Sequence, residues 1–156
     1  PDGIQKMSMN TEHLVQTSSN AGIMRLQDDY FELIVSVRSS VTSEKIALRD
    51  KMQYLTETIG GTFTVESDYP AWEYKEESPL RAVLFDVYQQ CFGKNPHMVG
   101  IHAGLECGIF YEKMPDLDIV SFGPTIQYIH TPKERLDIKS TAETWDFILK
   151  VLKALK

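Results

Sequence analysis

FELIVSVRSS, residues 31–40, sets Phe31, Leu33, Val35 and Val37 on one side of an extended chain and Glu32, Ser36 and Arg38 on the other. Alternation with a period of two is the pattern of a half-buried strand, so Arg38 is expected to point away from the apolar layer. Upstream, AGIMRLQ (residues 21–27) is a shorter strand candidate, and Asp28 with Asp29 supplies a hairpin turn between the two. Downstream, Leu48, Met52, Leu55 and Ile59 recur at helical spacing, predicting a helix over about 43–59 that stops at Gly60 and Gly61. TFTVES, residues 62–67, predicts a further strand. Two strands, a helix and a strand make part of a small α+β sandwich, which a second helix and another strand lying upstream would complete.

The composition changes at DYPAWEYKEESP, residues 68–79, where prolines, glutamates and aromatic residues crowd together. A domain crossing is expected there, dividing the chain into 1–74 and 75–156. The second part reads as α/β. Ser78 and Pro79 suit the cap and first position of a helix that carries Leu80, Leu84, Val87 and Cys91 on one face and stops at Gly93. HMVGIHAG (97–104) and LDIVSFG (117–123) read as short buried strands, with a helical turn or two in LECGIFYEKM between them. A last helix is predicted with a capping box from Ser140 to Glu143 and an apolar stripe of Trp145, Ile148, Leu149, Leu152 and Leu155, packed on a sheet.

The 156 residues and 42% hydrophobic content suffice for one core or two small ones. Lys and Arg number 16 against 22 Asp and Glu; the net charge of −6 argues against nucleic acid and anionic membrane as partners. No run reaches the ~18 apolar residues of a membrane span, and no export signal is visible. Cys91 and Cys107 form no CxxC pair, which suits a reducing, cytoplasmic setting. The sequence begins at Pro1, and processing or truncation upstream is expected.

Four histidines, His13, His97, His102 and His130, fall in no HExxH, HxH or Cys/His zinc spacing, so no self-contained metal site is legible. His130 follows a buried-strand candidate and a Gly-Pro turn, in the kind of loop where α/β sheets bind ligands; a surface histidine with no task fits the same position. In IHAGLECGIF, residues 101–110, the amides near Gly104 suit hydrogen bonding to a carboxylate or oxyanion, or the glycines serve only a sharp turn. Arg38 offers a fork for a carboxylate, or is an ordinary exposed strand arginine. There is no GxSxG, Walker or dinucleotide motif.

Together, QTSSNAGIM (16–24), VSVRSS (35–40), IHAGLECGIF (101–110), SFGPTIQYIHTPKERLDI (121–138) and TWDFILKVLKAL (144–155) resemble, in collinear order, the C-terminal part of the aminoacyl-histidine dipeptidases. These are carnosinase-like enzymes of the superfamily of two-zinc aminoacylases and carboxypeptidases. The resemblance implies a longer polypeptide whose zinc-binding catalytic domain is interrupted by a lid. Residues 1–74 then correspond to the second part of the α+β lid and 75–156 to the C-terminal part of the catalytic α/β domain. It further implies that His130 is a zinc ligand, that the Gly104 backbone contacts substrate, and that Arg38 approaches the carboxylate of a dipeptide. The remaining zinc ligands and the general base lie in the missing N-terminal part, so the isolated chain is expected to be inactive and not to bind zinc tightly. A homodimer is left open. The competing expectation is a free-standing α+β interaction or dimerisation module without catalysis.

Overall fold

The computed structural model describes residues 2–102 and 106–156. The chain forms two compact units, Pro1–Lys75 with Val99–Leu117, and Glu76–Met98 with Asp118–Lys156. Its architecture is mixed α/β.

The first unit holds an antiparallel sheet of β1 (Gly3–Met7), β2 (Val15–Leu26) and β3 (Phe31–Ser39), in that order. The Asp28–Asp29 turn is formed, closed by a hydrogen bond of 2.9 Å from the Gln27 amide to the Tyr30 carbonyl. β2 begins six residues earlier than the apolar pattern of 21–27 suggested, because its first half is written in hydroxyls. Thr17 and Ser19 are buried, and Thr17 Oγ1 and Ser39 Oγ share a hydrogen bond of 2.9 Å across the strands. Satisfying those hydroxyls removes most of the penalty for burying them. β1, exposed along its whole length, carries no alternation and was not anticipated.

Helix α1 (Thr42–Thr58) packs against β3, and of its expected stripe only Leu48 is buried; Leu55 and Ile59 are exposed. The N-terminus of α1 has no side-chain cap from its own first residue, and Glu73 instead accepts from the Thr42 amide at 3.0 Å. TFTVES is not a strand, and neither are the described residues of HMVGIHAG. A period-two pattern becomes a strand only where a neighbouring edge supplies ladder hydrogen bonds, and these segments have none among the described residues.

α3 (Glu106–Lys113) follows, eight residues that make about two turns, as LECGIFYEKM suggested. Its buried Gly108 lies against the backbone of Pro70 and Ala71, and a Cβ there would sit 2.6 Å from the Pro70 carbonyl oxygen. Backbone cannot swing aside as a flexible side chain does. Gly108→Ala is therefore expected to lower stability by about 1–3 kcal/mol, read by urea denaturation against the parent chain.

In the second unit, α2 (Pro79–Phe92) starts and stops as its sequence indicates. Ser78 Oγ accepts from the Arg81 amide at 3.0 Å, Pro79 opens the helix, and Gly93 ends it with φ 67°. Asp118 strengthens the start, accepting from the Ser78 hydroxyl at 2.7 Å and the Leu80 amide at 2.8 Å. LDIVSFG is accordingly not a strand: its first polar residue caps a helix, while Val120 and Phe122 cover the core.

α4 (Ile138–Ala154) begins two residues before the expected capping box, with Asp137 as its cap, accepting from the Ser140 amide at 2.7 Å. Among the described residues it packs chiefly on α2, where a sheet was expected. Leu84 and Val87 of α2 meet Phe147 and Val151 of α4 in the core of this unit. The predicted stripe lies beside the buried face; Trp145, Leu149 and Leu152 are exposed.

Candidate functional site

In the second unit a two-residue ladder, β4 (Ile126–Gln127) against β5 (Arg135–Leu136), closes the loop that carries His130. The backbone of this loop is unusual, for Tyr128 and His130 both adopt left-handed conformations, with φ 56° and 63°. For residues with a Cβ such conformations cost free energy, and they persist where surrounding bonds enforce them. Those bonds are present. Glu134 accepts from the His130 amide at 2.7 Å, the Thr131 hydroxyl donates to the Tyr128 carbonyl at 2.7 Å, and the Glu134 amide donates to the Thr131 carbonyl at 3.0 Å. The Arg135 guanidinium lies over the Tyr128 ring at 5.2 Å and donates to the Gln127 side chain at 2.8 Å. The loop is thereby pinned by its own residues while the imidazole of His130 stays exposed and makes no hydrogen bond among the described residues.

As a donor set, one neutral imidazole fits a single position of a zinc ion, which takes four ligands in its usual tetrahedral sites. Among the described residues no group of three or more His, Cys, Asp or Glu gathers to complete such a site.

The first unit carries a separate polar cluster. Ser18 of β2 and Arg38 of β3 are cross-strand partners and so share a sheet face. Arg38 is exposed, as the alternation of 31–40 suggested, and its Nη1 donates to the His102 carbonyl at 3.2 Å. The ring of His102 meets Ser18, with Nε2 and the hydroxyl oxygen 2.7 Å apart. Partial burial pushes the His102 imidazole below its usual pKa, the Arg38 guanidinium adds to the depression, and a backbone hydrogen bond at Val15 opposes both. Burial and the Arg38 charge both favour the neutral imidazole. Gly104 lies outside the described residues. Ser18 and Glu134 were not singled out from sequence; the only signal for Ser18 was its place opposite Arg38 in a register that the structure reveals.

A surface hollow of about 320 Å³, bounded by Thr42, Lys45, Arg49, Asp68, Tyr111 and Glu112, belongs to the first unit and includes neither Arg38 nor Ser18. Its cations are already engaged: Lys45 pairs with Asp68 at 2.6 Å, and Arg49 with Asp50 at 2.7 Å. Both cysteines are free thiols. No helix among the described residues is long and apolar enough to cross a membrane.

Comparison with known proteins agrees with the resemblance carried by the sequence. The chain is 33% identical over 155 residues to the cytosol non-specific dipeptidase of Escherichia coli (strain K12), a match that takes in 99% of this chain and 32% of the relative. It is also similar to the crystal structure of aminoacylhistidine dipeptidase from Vibrio alginolyticus, with a TM-score of 0.85, 34% identity, and coverage of 99% of this chain and 31% of that one. The chain thus spans about a third of the length of these relatives. A family model described as peptidase family M20/M25/M40 matches residues 4–154, and the chain belongs to that family.

Proposed function

We propose that this chain is the C-terminal part of a longer cytoplasmic metallodipeptidase that hydrolyses aminoacyl-histidine dipeptides. The observation that carries the reading is the presentation of His130: an exposed, unengaged imidazole at the tip of a loop whose left-handed backbone is held by Glu134 and Thr131. In a member of a peptidase family, rigid aim of a neutral imidazole is what a metal ligand requires.

In this reading His130 holds one position of zinc, and the remaining ligands and the general base come from the part of the polypeptide outside this chain. Zinc, when bound, supplies Lewis acidity that makes water nucleophilic near neutral pH. Arg38 binds the terminal carboxylate of the dipeptide, and the Gly104 backbone offers an amide to the substrate. Residues 1–74 belong to a lid and 75–156 to the catalytic domain.

The test compares two proteins. The full-length, zinc-loaded polypeptide is expected to cleave Xaa-His dipeptides, with kcat/KM at least about tenfold above dipeptides of similar size lacking histidine. Residues 1–156 alone are expected to bind no stoichiometric zinc and to hydrolyse nothing. Equal turnover of all dipeptides would favour the broader activity that the name of the Escherichia coli relative describes. Hydrolysis by the isolated chain would overturn the assignment of the other ligands to the missing part.

A further inference from the structure

Arg38 is a long, exposed side chain with no carboxylate partner among the described residues. Left to itself, such a side chain loses rotamer freedom when it grips a ligand, and binding is weakened accordingly. Here it is not left to itself. The His102 carbonyl takes one hydrogen of Nη1, which leaves the Nη2 side of the planar fork available to a carboxylate.

A carbonyl orients an arginine only if the carbonyl is itself fixed. His102 is tied to β2 through its ring by the Ser18 hydroxyl, and by a hydrogen bond with the backbone of Val15. β2 in turn is paired residue by residue with β3, where Ser18 stands opposite Arg38. The contacts form a closed circuit: strand to serine, serine to histidine, histidine to arginine, arginine to the neighbouring strand. A neutral imidazole suits this place, because a second positive charge would repel the guanidinium it is meant to steady.

We propose that Ser18 and His102 are positioning residues, which preorganise the Arg38 guanidinium for substrates ending in a free α-carboxylate. The inference rests on the reading of Arg38 as the carboxylate-binding residue. Neither Ser18 nor His102 touches the reacting atoms, so their effect falls on KM rather than on kcat.

The experiment uses the full-length zinc enzyme and two probes, a dipeptide and the same dipeptide amidated at its C-terminus. Ser18→Ala and His102→Gln are expected to raise KM for the dipeptide by about 3- to 10-fold, the size of one lost hydrogen bond, with kcat within about twofold. Ser18→Thr, which keeps the hydroxyl, restores the parent value. The amide is indifferent to all three, and Ser18→Ala adds nothing to Arg38→Ala. As a readout independent of activity, the His102 ring titrates at higher pH by NMR in Arg38→Ala, because the neighbouring charge is gone. A KM raised by Arg38→Ala but not by Ser18→Ala or His102→Gln overturns the positioning role and leaves the reading of Arg38 standing. A KM untouched by Arg38→Ala overturns both. Equal losses on dipeptide and amide, or no shift in the His102 titration, also overturn the proposal.

Discussion

His130→Ala in the full-length enzyme is expected to lower kcat/KM by two orders of magnitude or more and to reduce the zinc bound per chain. Groups that merely stand behind a metal ligand already cost about 10- to 100-fold when removed, and loss of a ligand costs more because zinc is left short of the donors that set its geometry and charge. Substrate contacts made elsewhere are untouched, so most of the loss appears in the metal-dependent step and not in KM. Glu134→Ala is the informative companion. It leaves the imidazole in place but releases the amide that Glu134 holds at 2.7 Å, and it should weaken zinc binding less than His130→Ala does. Zinc analysis together with steady-state kinetics decides the matter: full zinc and normal turnover in His130→Ala would remove His130 from the metal site.

The second large effect concerns stability. Phe147 is the centre of the aromatic cluster in the second unit, edge-on to Tyr88 at 5.8 Å and to Phe122 at 5.2 Å, and packed with Leu84, Val87 and Val151. Truncating a buried phenylalanine removes its transfer free energy and leaves a cavity that the surroundings fill incompletely. Phe147→Ala is expected to cost about 3–5 kcal/mol, whereas Phe147→Leu keeps most of the volume and should cost clearly less. Chemical denaturation of the chain measures both. A loss below about 1 kcal/mol for the alanine variant would mean that this unit is held by something other than the α2–α4 contact.

What could be read from the letters follows from where the physics is local. The hairpin at Asp28 and Asp29, the course of α1, and both ends of α2 came from short-range signals: turn chemistry, helical spacing, a serine cap, a proline and a left-handed glycine. What escaped depended on distant partners. The first half of β2 hides its alternation in the buried Thr17 and Ser19, and the burial of Thr17 makes sense only beside Ser39. TFTVES and LDIVSFG have strand-like composition but no edge to join among the described residues, and Asp118, in the second of these, is spent on the start of α2. The Ser140 to Glu143 pattern was outcompeted by Asp137, which lies nearer the first helical residue. As for the candidate site, Arg38 was legible as an outward strand residue, yet its contact with His102 spans 64 positions of sequence and has no local signature. The roles of His130, Arg38 and Gly104 come from family resemblance, and the described geometry supports proposals for the first two.

The hydroxyl bond between Thr17 and Ser39 has a bearing on evolution as much as on stability. It acts as a tooth between two gears: sliding β3 past β2 by one residue would strand both hydroxyls and turn Arg38 toward the side now held by Val35 and Val37. Drift at positions 17 and 39 is therefore expected to be correlated, small polar residues being exchanged for one another in pairs, since a lone aliphatic replacement would loosen the alignment that gives the guanidinium its direction.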